Sequence, residues 1–191
     1  YQAMTTNTAG GTKNIALGNY AMDALTSADN CIGIGYAALG ATTTGVDNTA
    51  VGTKTLLDNT TGAYNAAFGT DSMKDNTTGD FNTAIGRAAL QFNTTADGNT
   101  AIGRNALYAN TTGHSNVAVG ALALDANTTA DYSVAVGVEA LTTNTTGEGN
   151  IAVGYAALHN NTTGTQNTAV GRGALYANTT GGRNIAIGQS A

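Results

Sequence analysis

The sequence predicts an all-β fold, a parallel β-solenoid or β-roll of 17-residue coils, on three observations. Eleven glycines, Gly18, Gly35, Gly52, Gly69, Gly86, Gly103, Gly120, Gly137, Gly154, Gly171 and Gly188, stand 17 residues apart without a slip. Apolar residues recur at fixed offsets from those glycines. Each unit is also too short, and too often broken by Gly, to hold a helix pair. Self-similarity at a short fixed period marks a solenoid, whose units bury their apolar faces by stacking on one another.

Counted from each glycine, the unit reads G-x-x-A-L-x-x-N-T-T-G-x-x-N-x-A-φ, where φ is Val, Ile, Leu or Phe. Gly103 to Val119 is a good copy. The fourth residue after the glycine is Leu or Met, as in Met22, Leu39, Leu90 and Leu107. The residue before it is branched or aromatic, as in Val51, Phe68, Ile85 and Ile102. Tyr1 to Gly10 fits the same template, with one extra residue near Gly11 before Asn14. At the other end Ala191 stops early in a new unit. We expect residues 1–191 to be a single repeat array, cut or processed from a longer fibre.

Within a unit, Thr, Val and Ile favour strands, and Asn and Gly favour turns. The expected division is a short strand over Asn-x-Ala-φ, a corner at the Gly, a second short strand through Ala-Leu, and a wider corner at Asn-Thr-Thr-Gly. Ten intervals of about 4.8 Å between parallel strands give a rod on the order of 48 Å long. Stacking sets like on like. One expected amide ladder runs through Asn48, Asn65, Asn82, Asn99 and Asn116, and a second through Asn59, Asn76, Asn93 and Asn110. Such ladders satisfy corner backbone groups from coil to coil.

Side chains alternate across a strand, yet Ala and φ are neighbours, and so are Ala and Leu. Both faces of each strand are therefore expected to be apolar. One face fills the thin interior; the other needs a cover, because a long exposed apolar stripe is rare on a monomer. A second and third copy of the chain around an axis is the simplest cover.

Charged residues make up only 10%, Pro is absent, and the net charge is −5. Regular apolar columns at low charge argue against disorder. The negative balance leaves no electrostatic footprint for nucleic acid or an anionic membrane. No run is long enough to span a bilayer, and no signal peptide is present. Cys31 stands alone, so no disulfide framework forms within the chain, and a buried inert thiol is expected.

Asn-Thr-Ala-Ile-Gly (82–86, 99–103), Asn-Ile-Ala-Val-Gly (150–154) and Asn-Thr-Ala-Val-Gly (48–52, 167–171) resemble the head repeats of trimeric autotransporter adhesins of the YadA-like type. Similar arrays occur in fibre proteins that end in a tail-fibre chaperone domain. The resemblance covers essentially the whole chain. It implies a left-handed parallel β-roll in a side-by-side homotrimer, displayed on a bacterial surface or a virion tail fibre. The adhesin repeat is shorter, so the Asn-Thr-Thr-Gly corner here is an enlarged loop, and no stalk, anchor or chaperone segment is present in this stretch.

No catalytic constellation emerges, and the chain is read as a non-enzyme without cofactor or metal. His114 and His159 fall in different columns and read as solvated surface histidines. Paired carboxylates at a recurring spacing and calcium-binding nonapeptides are absent. Eight Asn-Thr-Thr sequences match a glycosylation acceptor but read as corner residues.

The variable columns mark the expected solvent face. There Tyr64, Phe81, Tyr108, Tyr132 and Tyr176 are candidate ligand-binding residues, because an exposed ring can stack on a sugar or contact a protein. The leading expectation is an extracellular fibre segment, an adhesin head or structural shaft, whose partners are itself and a surface glycan or protein receptor. A self-assembling end-to-end filament and a phage tail-fibre receptor-binding segment are the near alternatives. Ice binding through two stacked Thr rows, such as Thr94-Thr95 and Thr111-Thr112, is a more distant one.

Overall fold

The computed structural model describes residues 2–5 and 10–191. Its strands are β1 (Ile15–Leu17), β2 (Ile32–Ile34), β3 (Thr49–Val51), β4 (Ala66–Phe68), β5 (Thr83–Ile85), β6 (Thr100–Ile102), β7 (Val117–Val119), β8 (Val134–Val136), β9 (Ile151–Val153), β10 (Thr168–Val170) and β11 (Ile185–Ile187). They form one 11-stranded sheet in which spatial order is chain order. Each strand pairs in parallel with the next at a register of one coil: Ala101 lies opposite Ala118, and Ala118 opposite Ala135. The fold is a β-solenoid of about ten 17-residue turns, with no helix among the described residues.

The strands are short because both ends are fixed by the sequence. In β6 the middle residue, Ala101, points inward and is fully buried, while Thr100 and Ile102 point out. The bend that follows is glycine for two reasons. Gly103 has φ 133°, a region that L side chains rarely adopt. A Cβ there would also stand 2.6 Å from the Gly120 carbonyl oxygen of the next coil. The glycine column is thus a seam of backbone in contact with backbone.

The expected second strand through Ala-Leu is absent, and turns take its place. Two residues of this leg adopt left-handed conformations, Asn105 (φ 56°) and Leu107 (φ 53°) in one coil, Ala88 (φ 55°) and Leu90 (φ 53°) in the coil before. Turn bonds close the leg: the Ala106 N–H donates to the Gly103 carbonyl at 3.3 Å, and the Asn110 N–H to the Leu107 carbonyl at 3.4 Å. A left-handed residue breaks strand alternation, so Ala106 and Leu107 both face inward and both are fully buried. The expected second apolar face therefore exists on the strand side only. Left-handed φ costs a non-glycine residue roughly 1–2 kcal/mol. Burying the Leu side chain returns roughly 1.5–3 kcal/mol, and the Leu107 N–H also bonds the Ala123 carbonyl of the next coil at 2.9 Å.

The interior is lined by the strand Ala, the leg Ala and Leu, and two Asn ladders. In the ladder before the strand, the Asn99 amide donates to the Gly113 carbonyl at 2.9 Å, and its oxygen accepts the Asn116 backbone N–H at 2.9 Å. In the wide-corner ladder, the Asn110 amide donates to the Asn93 side-chain oxygen at 3.0 Å and to the Gly113 carbonyl at 2.9 Å. Where Ser133 interrupts the first ladder, Asn150 takes up the Gly147 carbonyl at 2.9 Å as well as its own Gly164 carbonyl at 2.7 Å. Cys31, the other interruption, is buried, and its thiol lies 3.3 Å from the Gly45 carbonyl. Burial pushes that thiol's pKa up, as expected of an inert core cysteine.

The opening coil follows the pattern as far as it is described. Met4 (φ 53°) occupies the Leu column, and its N–H donates to the Ala21 carbonyl at 3.0 Å. Its partner in the next coil, Met22, is eighteen residues on (22 − 4), so the expected extra residue lies between them. The template matches at Tyr1 and at 6–9 lie outside the described residues.

Candidate binding surface

Each coil shows solvent four kinds of surface: the outer strand face, the turn leg, the wide corner, and the corner before the strand. The outer strand face is apolar. Phe68, Ile85, Ile102, Val136, Ile151 and Val153 each keep 36–41% exposure on consecutive or nearly consecutive strands. Thr49, Thr83, Thr100 and Thr168 interrupt them.

The aromatic candidates divide between two columns. Tyr64, Phe81 and Tyr132 stand at the corner before the strand, all exposed and all left-handed, with φ of 57–59°. Tyr64 and Phe81 stack with centroids 4.9 Å apart and planes 1° apart. Tyr132 lies three coils beyond Phe81 and touches neither. Tyr108 and Tyr176 stand on the turn leg, each with a ring partner. Phe92 meets Tyr108 edge-on at 4.8 Å, and His159 stacks on Tyr176 at 4.9 Å. Phe92 sits one position off the aromatic column, which hid the pairing. Tyr155 carries the Arg172 guanidinium 5.9 Å above its ring.

Neither histidine is simply solvated. The His114 Nδ1 accepts the Asp97 backbone N–H at 2.9 Å, and the His114 backbone N–H donates to the Asp131 carboxylate at 2.6 Å. His159 lies 3.9 Å from Glu139 and 2.9 Å from the Asn160 side chain. At several coils the column of His114 is a carboxylate ladder: Asp80 and Asp97 accept the backbone N–H groups of Ala63 and Asp80, both at 2.7 Å. At its start, the Thr12 backbone N–H and hydroxyl hold the Asp29 carboxyl below the usual range.

The two Thr rows separate. In the first, each hydroxyl donates to the next coil, as Thr94 does to the Thr111 carbonyl at 3.1 Å. Thr94 and Thr111 of that row are half-buried, whereas Thr95 and Thr112 of the second row are exposed. The corner Asn amides are bonded in their ladder and, except at the half-buried Asn178, buried, so the Asn-Thr-Thr sequences present no free amide.

Asp125 is the one perturbed carboxyl on the turn leg. Burial raises its pKa and nearby Arg104 partly opposes this; its Oδ1 is buried and makes no hydrogen bond. A raised carboxyl pKa means that the folded state holds its proton more tightly than the unfolded chain does. Its penalty is absent below the unfolded pKa and grows as pH rises through the folded one. Asp125→Asn is therefore expected to stabilise the chain at pH 7, by less than about 1 kcal/mol after solvent screening, and to have no such effect at pH 3. Thermal melts at the two pH values check this.

Recesses open on this surface, two of them beside the aromatic residues. One, of about 700 Å³, includes Tyr155, Arg172, Gly173 and Tyr176 and is bounded by Ser190 and Ala191. Leu175 and Asn178 line it as well. The other, of about 520 Å³, is lined by Tyr132, Glu148, Gly149, Thr165, Gln166 and Arg183 on four successive coils. Among the described residues no cluster of three or more His, Cys, Asp or Glu is placed to hold a metal ion, and no helix is long and apolar enough to cross a membrane. Compared with protein-family models, curated proteins and solved structures, the chain matches none.

Proposed function

We propose that this chain is a non-enzymatic extracellular fibre segment, an adhesin head or shaft, in which three rolls stand side by side on a bacterial surface or a virion tail fibre. The observation that carries the reading is the outer strand face. Its apolar residues line up over the whole sheet instead of scattering, and a continuous stripe of that kind marks an association surface. The turn leg and the corners carry the charged residues and most of the aromatic ones, which leaves them for contact with a receptor. The Asn-x-Ala-φ-Gly array adds its resemblance to trimeric adhesin heads.

Light scattering on the purified chain tests the assembly, with a trimer expected. Ile102→Lys sets a charge in the middle of the stripe, where an unpaired buried ion costs several kcal/mol. The variant is expected to shift the trimer to monomer at micromolar concentration while leaving the β circular dichroism unchanged. A wild-type monomer, or a trimer indifferent to Ile102→Lys, overturns this arrangement.

A further inference from the structure

The recess at the corner before the strand has a chemistry of its own. At this column successive coils present their side chains at the strand spacing, about 4.8 Å. Tyr64 and Phe81 show the outcome when neighbouring rungs both hold rings: the rings stack 4.9 Å apart and parallel to within 1°. The faces of these two rings therefore look along the fibre axis. Gly149 leaves the rung after Tyr132 without a side chain. Tyr132 and Gln166 then bracket a gap of two spacings, about 9.6 Å.

The backbone does not demand that glycine. Gly149 has φ 66°, but Gln166 and Arg183 hold φ 57° and 62° in the same column. A Cβ on Gly149 would meet Gln166 Cγ at 3.6 Å, an ordinary contact. A side chain fits there, and its absence is what opens the recess.

The carboxylate ladder is interrupted at the gap. Asp80, Asp97 and Asp131 each accept a backbone N–H from the preceding coil. Glu148, next in that column, makes no side-chain hydrogen bond among the described residues, and it lines the recess. The Arg183 Nε donates to the Gln166 side-chain oxygen at 3.1 Å. That bond braces the two side chains and leaves the Gln166 amide N–H groups and the Arg183 terminal nitrogens as donors. The recess thus combines a ring platform, an acceptor and two planar donors, with one negative and one positive charge.

We propose that the recess of Tyr132, Glu148, Gly149, Gln166 and Arg183 binds one pyranose unit of a neutral saccharide. The C–H face of the sugar lies on the Tyr132 ring, and its hydroxyls, each donor and acceptor at once, bridge Glu148 to Gln166 and Arg183. The balanced local charge and the chain's net −5 disfavour a nucleic acid or a polyanionic glycan. The equivalent gap at Gly98 lacks this set: its far side is Ser115, and the flanking Asp97 and His114 are engaged in the ladder. The proposal rests on the adhesive reading for its purpose but not for its geometry.

The test is titration of the full chain with neutral tetrasaccharides of β-linked glucose, β-linked N-acetylglucosamine and α-linked mannose, followed by calorimetry and saturation-transfer NMR. At least one is expected to bind. Tyr132→Ala should weaken it about tenfold. Gly149→Tyr fills the rung with a residue that the column already accepts at Tyr64 and Tyr132, and should abolish binding while lowering the melting temperature only by the few degrees that one left-handed side chain costs. Phe81→Ala should bind as the wild type does. No binding by any of the three sugars, binding undiminished in Gly149→Tyr, or recognition of immobilised protein that these sugars do not compete overturns the proposal. Light scattering on the same samples keeps the two readings apart: a trimer that ignores sugars sinks only the recess, and a sugar-binding monomer sinks only the trimer.

Discussion

Gly103→Ala is expected to break the array in its middle. The added Cβ would stand 2.6 Å from the Gly120 carbonyl oxygen and 2.7 Å from the carbonyl carbon, against backbone that belongs to the next coil's own hydrogen bonds. The φ of 133° adds strain for any L residue. Strained φ costs about 1–3 kcal/mol and overpacking a similar amount, so the expected loss is about 2–6 kcal/mol. That is comparable with the whole stability of many domains. Because each coil touches only its neighbours, the damage should be local. Amide exchange should accelerate in the coils around Gly103 and Gly120 first and leave the outer coils protected. Gly98→Ala is the matched control: a Cβ there meets only the Ser115 Oγ, at 3.6 Å, and the cost should stay near 1 kcal/mol. Equal melting temperatures for the two variants would refute the steric account of the glycine seam.

Asn99→Asp is expected to be nearly as damaging at neutral pH, and to recover in acid. Asn99 is buried, donating to the Gly113 carbonyl and accepting from the Asn116 N–H. Aspartate keeps the acceptor and replaces the donor with an oxygen that faces a carbonyl. The Gly113 carbonyl keeps its bond from Asn110, so the main cost is the charge, about 3–5 kcal/mol for an unpaired buried ion. The sign follows from burial. A carboxyl in this ladder has a folded pKa above its unfolded value, near 4. Its penalty vanishes below the unfolded pKa and rises to a plateau above the folded one. Once protonated, its O–H donates to Gly113 as the amide did. Melting temperatures of variant and wild type should therefore converge at pH 3 and diverge at pH 7. A deficit of equal size at both would mean that shape, not charge, sets the penalty.

The array, its phase and both Asn ladders were legible because stacking forces like residues into columns, and a column shows as a period. The leg after the glycine was misread as a strand because Ala-Leu satisfies strand alternation as well as it satisfies a turn. A signal against the strand was present. The columns of Leu107, of Asn105 and of Tyr132 contain no Val, Ile or Thr, in a chain otherwise full of them. β-branched residues tolerate left-handed φ worst, and all three columns are left-handed. The aromatic corner was legible as a list of rings but not as a surface. Whether Tyr132 has a neighbour depends on Gly149 one coil away, and a period search treats that departure as noise. The freedom of Glu148 was equally hidden, since it differs by one methylene from the Asp residues that close the ladder.

The one-coil register also makes length a counted quantity. Each strand, ladder rung and glycine contact joins residues 17 apart, from Ile15 opposite Ile32 to Val170 opposite Ile187. Gain or loss of a whole unit leaves all of those pairings intact and moves the ends of the rod by one strand spacing. Gain or loss of a fraction of a unit sets Leu over Asn, and Gly over a side chain that has no room. A gene for such a rod can therefore change its product's reach in steps of one coil by unequal exchange between its own repeats, without passing through an unfolded intermediate length.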